Sequence, residues 1–173
     1  MKKNRSVVPL FVAVAILATA TAIGLSVSVC AVQAAGDPIV VIVNGSNPVD
    51  NLSMGELRKL FLSDRSRWDT GRAVAPVMLA AGAPERTLFL RVVYGMNNAD
   101  FDRYFLQATF AGKSATPPKE VGSVRDVKRI VSNTPGAISF VRSSDLHTDS
   151  DSVIKVVRID GIAATDSAYK IHM

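Results

Sequence analysis

Among 173 residues there is one cysteine, one tryptophan and two histidines. Cys30 falls inside an apolar N-terminal stretch, so the chain beyond position 35 has no thiol. That excludes a disulfide, a cysteine-based metal site and a cysteine nucleophile there. His147 and His172 stand apart in polar segments, and neither has the surroundings of a metal pair or a catalytic base. No serine, Ser139 included, sits in a nucleophile-elbow pattern, and no glycine-rich nucleotide loop occurs. Internal repeats, low-complexity tracts and long linkers are missing too. With no catalytic constellation, no metal ligands and no cofactor motif, the expectation is a binding or interaction module and not an enzyme.

The first 35 residues have a character of their own. Lys2, Lys3 and Arg5 make a basic start, and no further charge appears until Asp37. An apolar stretch follows, ending in the small residues of Val32-Gln33-Ala34-Ala35, a pattern that predicts an export signal over 1–35 cleaved after Ala34 or Ala35. The apolar run exceeds the usual roughly 7–15 residues, which keeps a retained membrane anchor as the alternative. Pro9, Thr19, Thr21, Gly24, Ser26 and Ser28 dilute the run and favour cleavage. Cys30 follows Val29, where a lipid-attachment site carries Gly, Ala or Ser, so it reads as an apolar residue of the signal. The expected location is the periplasm, with membrane contact only through an uncleaved signal.

The net charge of +5 overstates the domain that remains. Lys2, Lys3 and Arg5 supply three of those charges, leaving +2 for residues 36–173, scattered along the chain. That is too weak and diffuse for nucleic acid as a partner. Residues 36–173 suit one domain with a real core.

Within that domain, apolar runs alternate with helical patterns. Ile39 to Val43 is a continuous β-branched strand closed by the turn Asn44-Gly45-Ser46-Asn47-Pro48. Ser53-Met54-Gly55-Glu56 is a capping box, opening a helix through about Leu62 with Leu57, Leu60 and Phe61 on its apolar face. Val74 to Leu79 predicts a second strand. Pro84 opens a helix to Tyr94 with Gly95 as its stop, and another spans roughly Ala99 to Phe110. Ser123-Val124-Arg125-Asp126 caps a helix to about Asn133. Ala137 to Val141 and Val153 to Ile159 predict two further strands. The pattern predicts an α/β domain around a central sheet.

The order of these motifs resembles the phosphate-binding proteins of ABC transporters. The strand ending in Asn44, then Asn47-Pro48, Leu52-Ser53, Glu56-Leu57, Phe61-Leu62 and Trp68 is similar to the hinge and second lobe of that family. The likeness continues through Phe110-Ala-Gly-Lys113, Pro117 to Ser123 and Asn133-Thr-Pro-Gly-Ala-Ile138, where the family commonly reads TPGAIGYV. It spans Pro38 to about Ile159. The resemblance implies one lobe of a type II periplasmic-binding-protein-like fold over 36–173, a central mixed sheet flanked by helices. It further implies a substrate-binding role beside an ABC permease.

Two departures bear on the ligand. The family's typical members have two lobes and roughly twice this length. Their phosphate loop reads like GSGTREAF, whereas the corresponding segment here is Gly82-Ala83-Pro84-Glu85-Arg86-Thr87-Leu88-Phe89. Hydroxyls have become Ala83 and Glu85, Pro84 lacks an N–H donor, and Glu85 brings a carboxylate to an anion's place. The segment is closer to a shorter subgroup whose loop reads GSPxREAF.

The candidate ligand residues are Gly82, Arg86, Ser123 and Arg142. Arg86 in a first helical turn opposes the helix dipole, so it either binds an anion or pairs with Glu85 or another acid. Ser123, with Lys119 nearby, is either part of an anion site or an ordinary N-cap. Arg142 follows a strand at an end where α/β sheets place ligands. Trp68 and Phe61 read as core packing more than as ligand stacking. Two functions follow as expectations: a module binding phosphate or another small anion, or a scaffold that has lost its ligand and works through a protein partner or self-association.

Overall fold

The computed structural model describes residues 36–147 and 153–172; the expected export signal, Cys30 and Met173 lie outside them. Six β-branched or capping positions form β1 (Ile39–Asn44), and every one of them is buried. A strand apolar on both faces must be covered on both faces. β1 accordingly sits inside a six-stranded sheet ordered β2-β6-β1-β5-β3-β4, where β2 is Asn51–Leu52, β3 Ala75–Leu79, β4 Lys119–Val121, β5 Ala137–Arg142 and β6 Ile154–Ile159.

The sheet is mixed. β1 runs antiparallel to β5 and β6, while β3 runs parallel to β5 and β4, and β2 parallel to β6. The short strands β2 and β4 carry no apolar alternation and become strands only by pairing, which is why the chain pattern predicts four strands where six form.

Period-two alternation divides the core. Ile39, Val41 and Val43 face one apolar cluster with Leu57, Phe61, Phe89 and Phe140, and Val40 and Ile42 face another with Val127 and Val131. The first cluster is covered by α1 (Met54–Phe61), α2 (Pro84–Phe89) and α3 (Asn98–Phe110), the second by α4 (Val124–Asn133). Phe61 and Trp68 are core: Phe61 lies 5.2 Å from Phe89 between ring centroids, and the Trp68 indole donates to the Gly136 carbonyl at 3.0 Å.

Local signals behave as the sequence predicts at α1, where the Ser53 side chain accepts from the Glu56 N–H while Glu56 reaches back to Ser53. The helix expected from Pro84 to Tyr94 changes character instead. After Phe89 it widens into a π-helical turn, Leu90–Tyr94, ended by Gly95 in the left-handed conformation (φ 67°). Tyr169 closes the far end of the chain onto β1 by donating its hydroxyl to the Ile39 carbonyl at 2.8 Å.

Candidate functional site

The four candidate residues collect at one end of the sheet. β3, β4 and β5 are mutually parallel, so their C-terminal ends share an edge. Gly82 lies just past β3, Ser123 just past β4, and Arg142 closes β5. The Ala80 N–H donates to the Val121 carbonyl at 2.9 Å and holds the first two of these turns side by side. This is the sheet edge where α/β folds place ligands.

What the edge offers an anion is limited by the start of α2. Its N-cap, Ala83, supplies no side-chain oxygen, and Pro84 at the first position supplies no N–H. Gly82 itself is exposed, with no neighbour within 4 Å of where a Cβ would stand.

Arg86 is 0% exposed. One terminal nitrogen, Nη1, donates to the Leu79 carbonyl at 3.2 Å and to Glu120 Oε1; the other, Nη2, reaches Asp102 Oδ1 at 3.3 Å. The guanidinium carbon stands 5.7 Å from the centroid of the Phe101 ring. Arg86 thereby ties α2 to β4 and α3. Its Nε is buried without a hydrogen-bond partner among the described residues.

Glu85 turns the opposite way. Its Oε1 accepts from Arg142 Nε at 2.5 Å, and only 10% of its side chain is exposed. The expected alternative, Arg86 paired with Glu85 or another acid, holds in its second form: Arg86 pairs with Glu120 and Asp102, while its sequence neighbour Glu85 pairs with Arg142.

Ser123 caps α4. Its hydroxyl oxygen accepts from the Asp126 N–H at 3.2 Å and the hydroxyl donates to Asp126 Oδ2 at 2.7 Å. The Asp126 carboxyl is held below its ordinary value of 3.8, chiefly by that hydroxyl; desolvation opposes the shift, and Arg129 and Arg125 add to it. Lys119, read beside Ser123 in the sequence, stands at the other end of β4.

The cluster thus holds two cations, Arg86 and Arg142, and three carboxylates, Glu85, Asp102 and Glu120. Asp102 and Glu120 have no local sequence signal as partners of Arg86; they lie 16 and 34 positions away. Among the described residues no group of three or more His, Cys, Asp and Glu could hold a metal ion. No helix among them is long and apolar enough to cross a membrane.

No known protein family's profile matches the chain. Solved structures do match. An ABC-type phosphate transport receptor from Vibrio cholerae superposes with a TM-score of 0.64, at 19% identity, over 80% of this chain and 54% of its own. The chain folds like about half of such a receptor. A phosphate ABC transporter substrate-binding protein from Clostridium perfringens, solved with bound phosphate, agrees at a TM-score of 0.60 and 20% identity over 76% of this chain and 48% of its own. PstS from Borrelia burgdorferi matches at 0.61 and 11% identity, over 76% and 50%. The chain spans about half the length of these proteins. At such identities the phosphate-binding-protein fold is what is shared, and the fold expected from the motif order is the one observed.

Proposed function

We propose that this chain is a non-catalytic binding module of the cell envelope in which its own carboxylates close the loop that takes phosphate in the resembled family. The observation that carries the reading is the environment of Arg86. A buried guanidinium already bonded to Leu79, Glu120 and Asp102 has its donors largely committed. An incoming anion would also meet Glu85. Two like charges at 4 Å repel by about 4 kcal/mol at an effective dielectric constant of 20, more than one added hydrogen bond returns. The signal-like residues 1–35 support export to the periplasm, and the fold supports docking to an ABC permease or another protein through the edge that carries Gly82, Ser123 and Arg142.

Calorimetry of the purified full chain with phosphate, sulfate and acetate tests this. The expected result is no saturable heat with any of them. A micromolar dissociation constant for phosphate would overturn the reading.

A second reading, anion binding through Gly82, Arg86, Ser123 and Arg142, is favoured by one observation. Asp102 and Glu120 are 65% and 53% exposed on their side chains, and Arg86 Nε is unpartnered, so a displacing anion has a donor to gain. On that reading phosphate binds and the backbone amides of 80–86 and 120–123 shift in NMR spectra.

A further inference from the structure

A cavity among the described residues lies away from this edge. It measures about 610 Å³ and opens at the other end of β3, beside residues 73–77, 65–67 and 114–119. Drug-sized ligands occupy cavities of roughly 300–1,000 Å³, mostly apolar with a few placed polar groups.

Its origin is legible in the strands. β4 pairs with β3 only from Val77 opposite Lys119 onward. Pro76, one residue earlier, has no N–H to offer an edge partner, and Pro117-Pro118 precedes Lys119. The sheet edge is therefore unpaired along the first half of β3, and the chain at 114–118 stands off from it. That stand-off is braced: the Ser63 hydroxyl donates to the Thr116 carbonyl at 2.5 Å. Ser63 itself has φ 62°, an uncommon conformation for a residue with a side chain.

The lining has two characters. Val74, Pro76 and Ile130 provide apolar walls, with the hydroxyls of Ser66, Ser114 and Thr116 among them. Three cations, Arg65, Arg67 and Lys119, border them, and no carboxylate lines the cavity among the described residues. Arg65 is compensated from outside by Asp69 at 2.5 Å and Glu56 at 3.6 Å. Arg67 is oriented by donating to the Gly71 carbonyl at 2.8 Å, and no hydrogen bond or ion pair reaches the Lys119 ammonium among the described residues. Two positive charges are thus uncompensated at the mouth of an apolar recess.

We propose that this cavity binds an organic anion with an apolar body, a carboxylate or sulfonate whose charged head lies between Arg67 and Lys119 while its hydrocarbon part enters the recess. The site is independent of the closed loop at Gly82–Arg86, which sits at the opposite end of β3. Inorganic phosphate lacks the apolar body, and a neutral chain lacks the head.

NMR titrations of the purified full chain with octanoate, octanol and inorganic phosphate test it. Octanoate is expected to shift amides of 65–67, 73–77 and 114–119 saturably. Lys119→Gln, at an exposed position, is expected to weaken octanoate about tenfold, the worth of one charge-assisted contact, and to leave octanol unchanged. Ser114→Trp, on the exposed rim, is expected to abolish octanoate binding with an unaltered urea midpoint. The proposal is overturned if octanoate shifts other residues or none. It is equally overturned if octanol or phosphate binds at this place as well as octanoate does, or if Ser114→Trp binds like the wild type.

Discussion

Arg142 and Glu85 meet at 2.5 Å across 57 positions, joining the end of β5 to the first turn of α2. The two are unequally exposed, at 34% for the Arg142 side chain and 10% for Glu85. Losing either partner therefore strands a different charge in a different medium.

Arg142→Gln leaves the more buried carboxylate without its cation, at a cost of about 3 kcal/mol, whereas Glu85→Gln leaves an Arg that can turn to water, at about 1 kcal/mol. Urea denaturation of the two variants measures the difference. Equal costs would mean that the pair is solvated like an ordinary surface bridge.

Arg86 holds two carboxylates, so their removal should be non-additive. Glu120→Gln and Asp102→Asn are each expected to cost about 1 kcal/mol, because the remaining acid still compensates the guanidinium. The double variant leaves a buried uncompensated cation and should lose roughly 3–5 kcal/mol. A double-mutant cycle by chemical denaturation reads the coupling directly.

The cap of α4 links stability to acid. Asp126 has its carboxyl lowered below 3.8, chiefly by the Ser123 hydroxyl, so its contribution is present above that value and fades as pH falls through the lowered one. Ser123→Ala should bring the Asp126 titration, followed by NMR, back up toward 3.8. The same variant loses the hydroxyl's bond to the Asp126 N–H, worth about 1 kcal/mol at an N-cap.

Gly136 cannot accept a side chain. A Cβ there would lie 2.1 Å from the Ala73 carbonyl oxygen, a backbone atom that cannot rotate away. Its own carbonyl receives the Trp68 indole N–H. Gly136→Ala should destabilise by about 3 kcal/mol and change the fluorescence of this single tryptophan, both measurable in one thermal melt.

Legibility followed the range of the interactions. The Ser53–Glu56 box, the Ser123 cap and the β-branched run of β1 act within a few positions, and each formed where the residues predicted it. β4 did not announce itself, because Lys119-Glu120-Val121 becomes a strand only when Val77 to Leu79 lies beside it. The π-helical turn at Leu90–Tyr94 was equally silent, since Pro84 and Gly95 bound a helix of either width.

At the candidate site the division is sharper. The loop chemistry is already written in residues 82–89: a proline without an N–H and a carboxylate where the resembled family has hydroxyls. So is the order of motifs from Pro38 to Ile159, which predicts the fold. Which charges meet depends on packing, which sends Glu85 to Arg142 and Arg86 to Asp102 and Glu120. An ion pair depends on separation in space and on solvent exposure, and adjacent residues of a helix point about 100° apart.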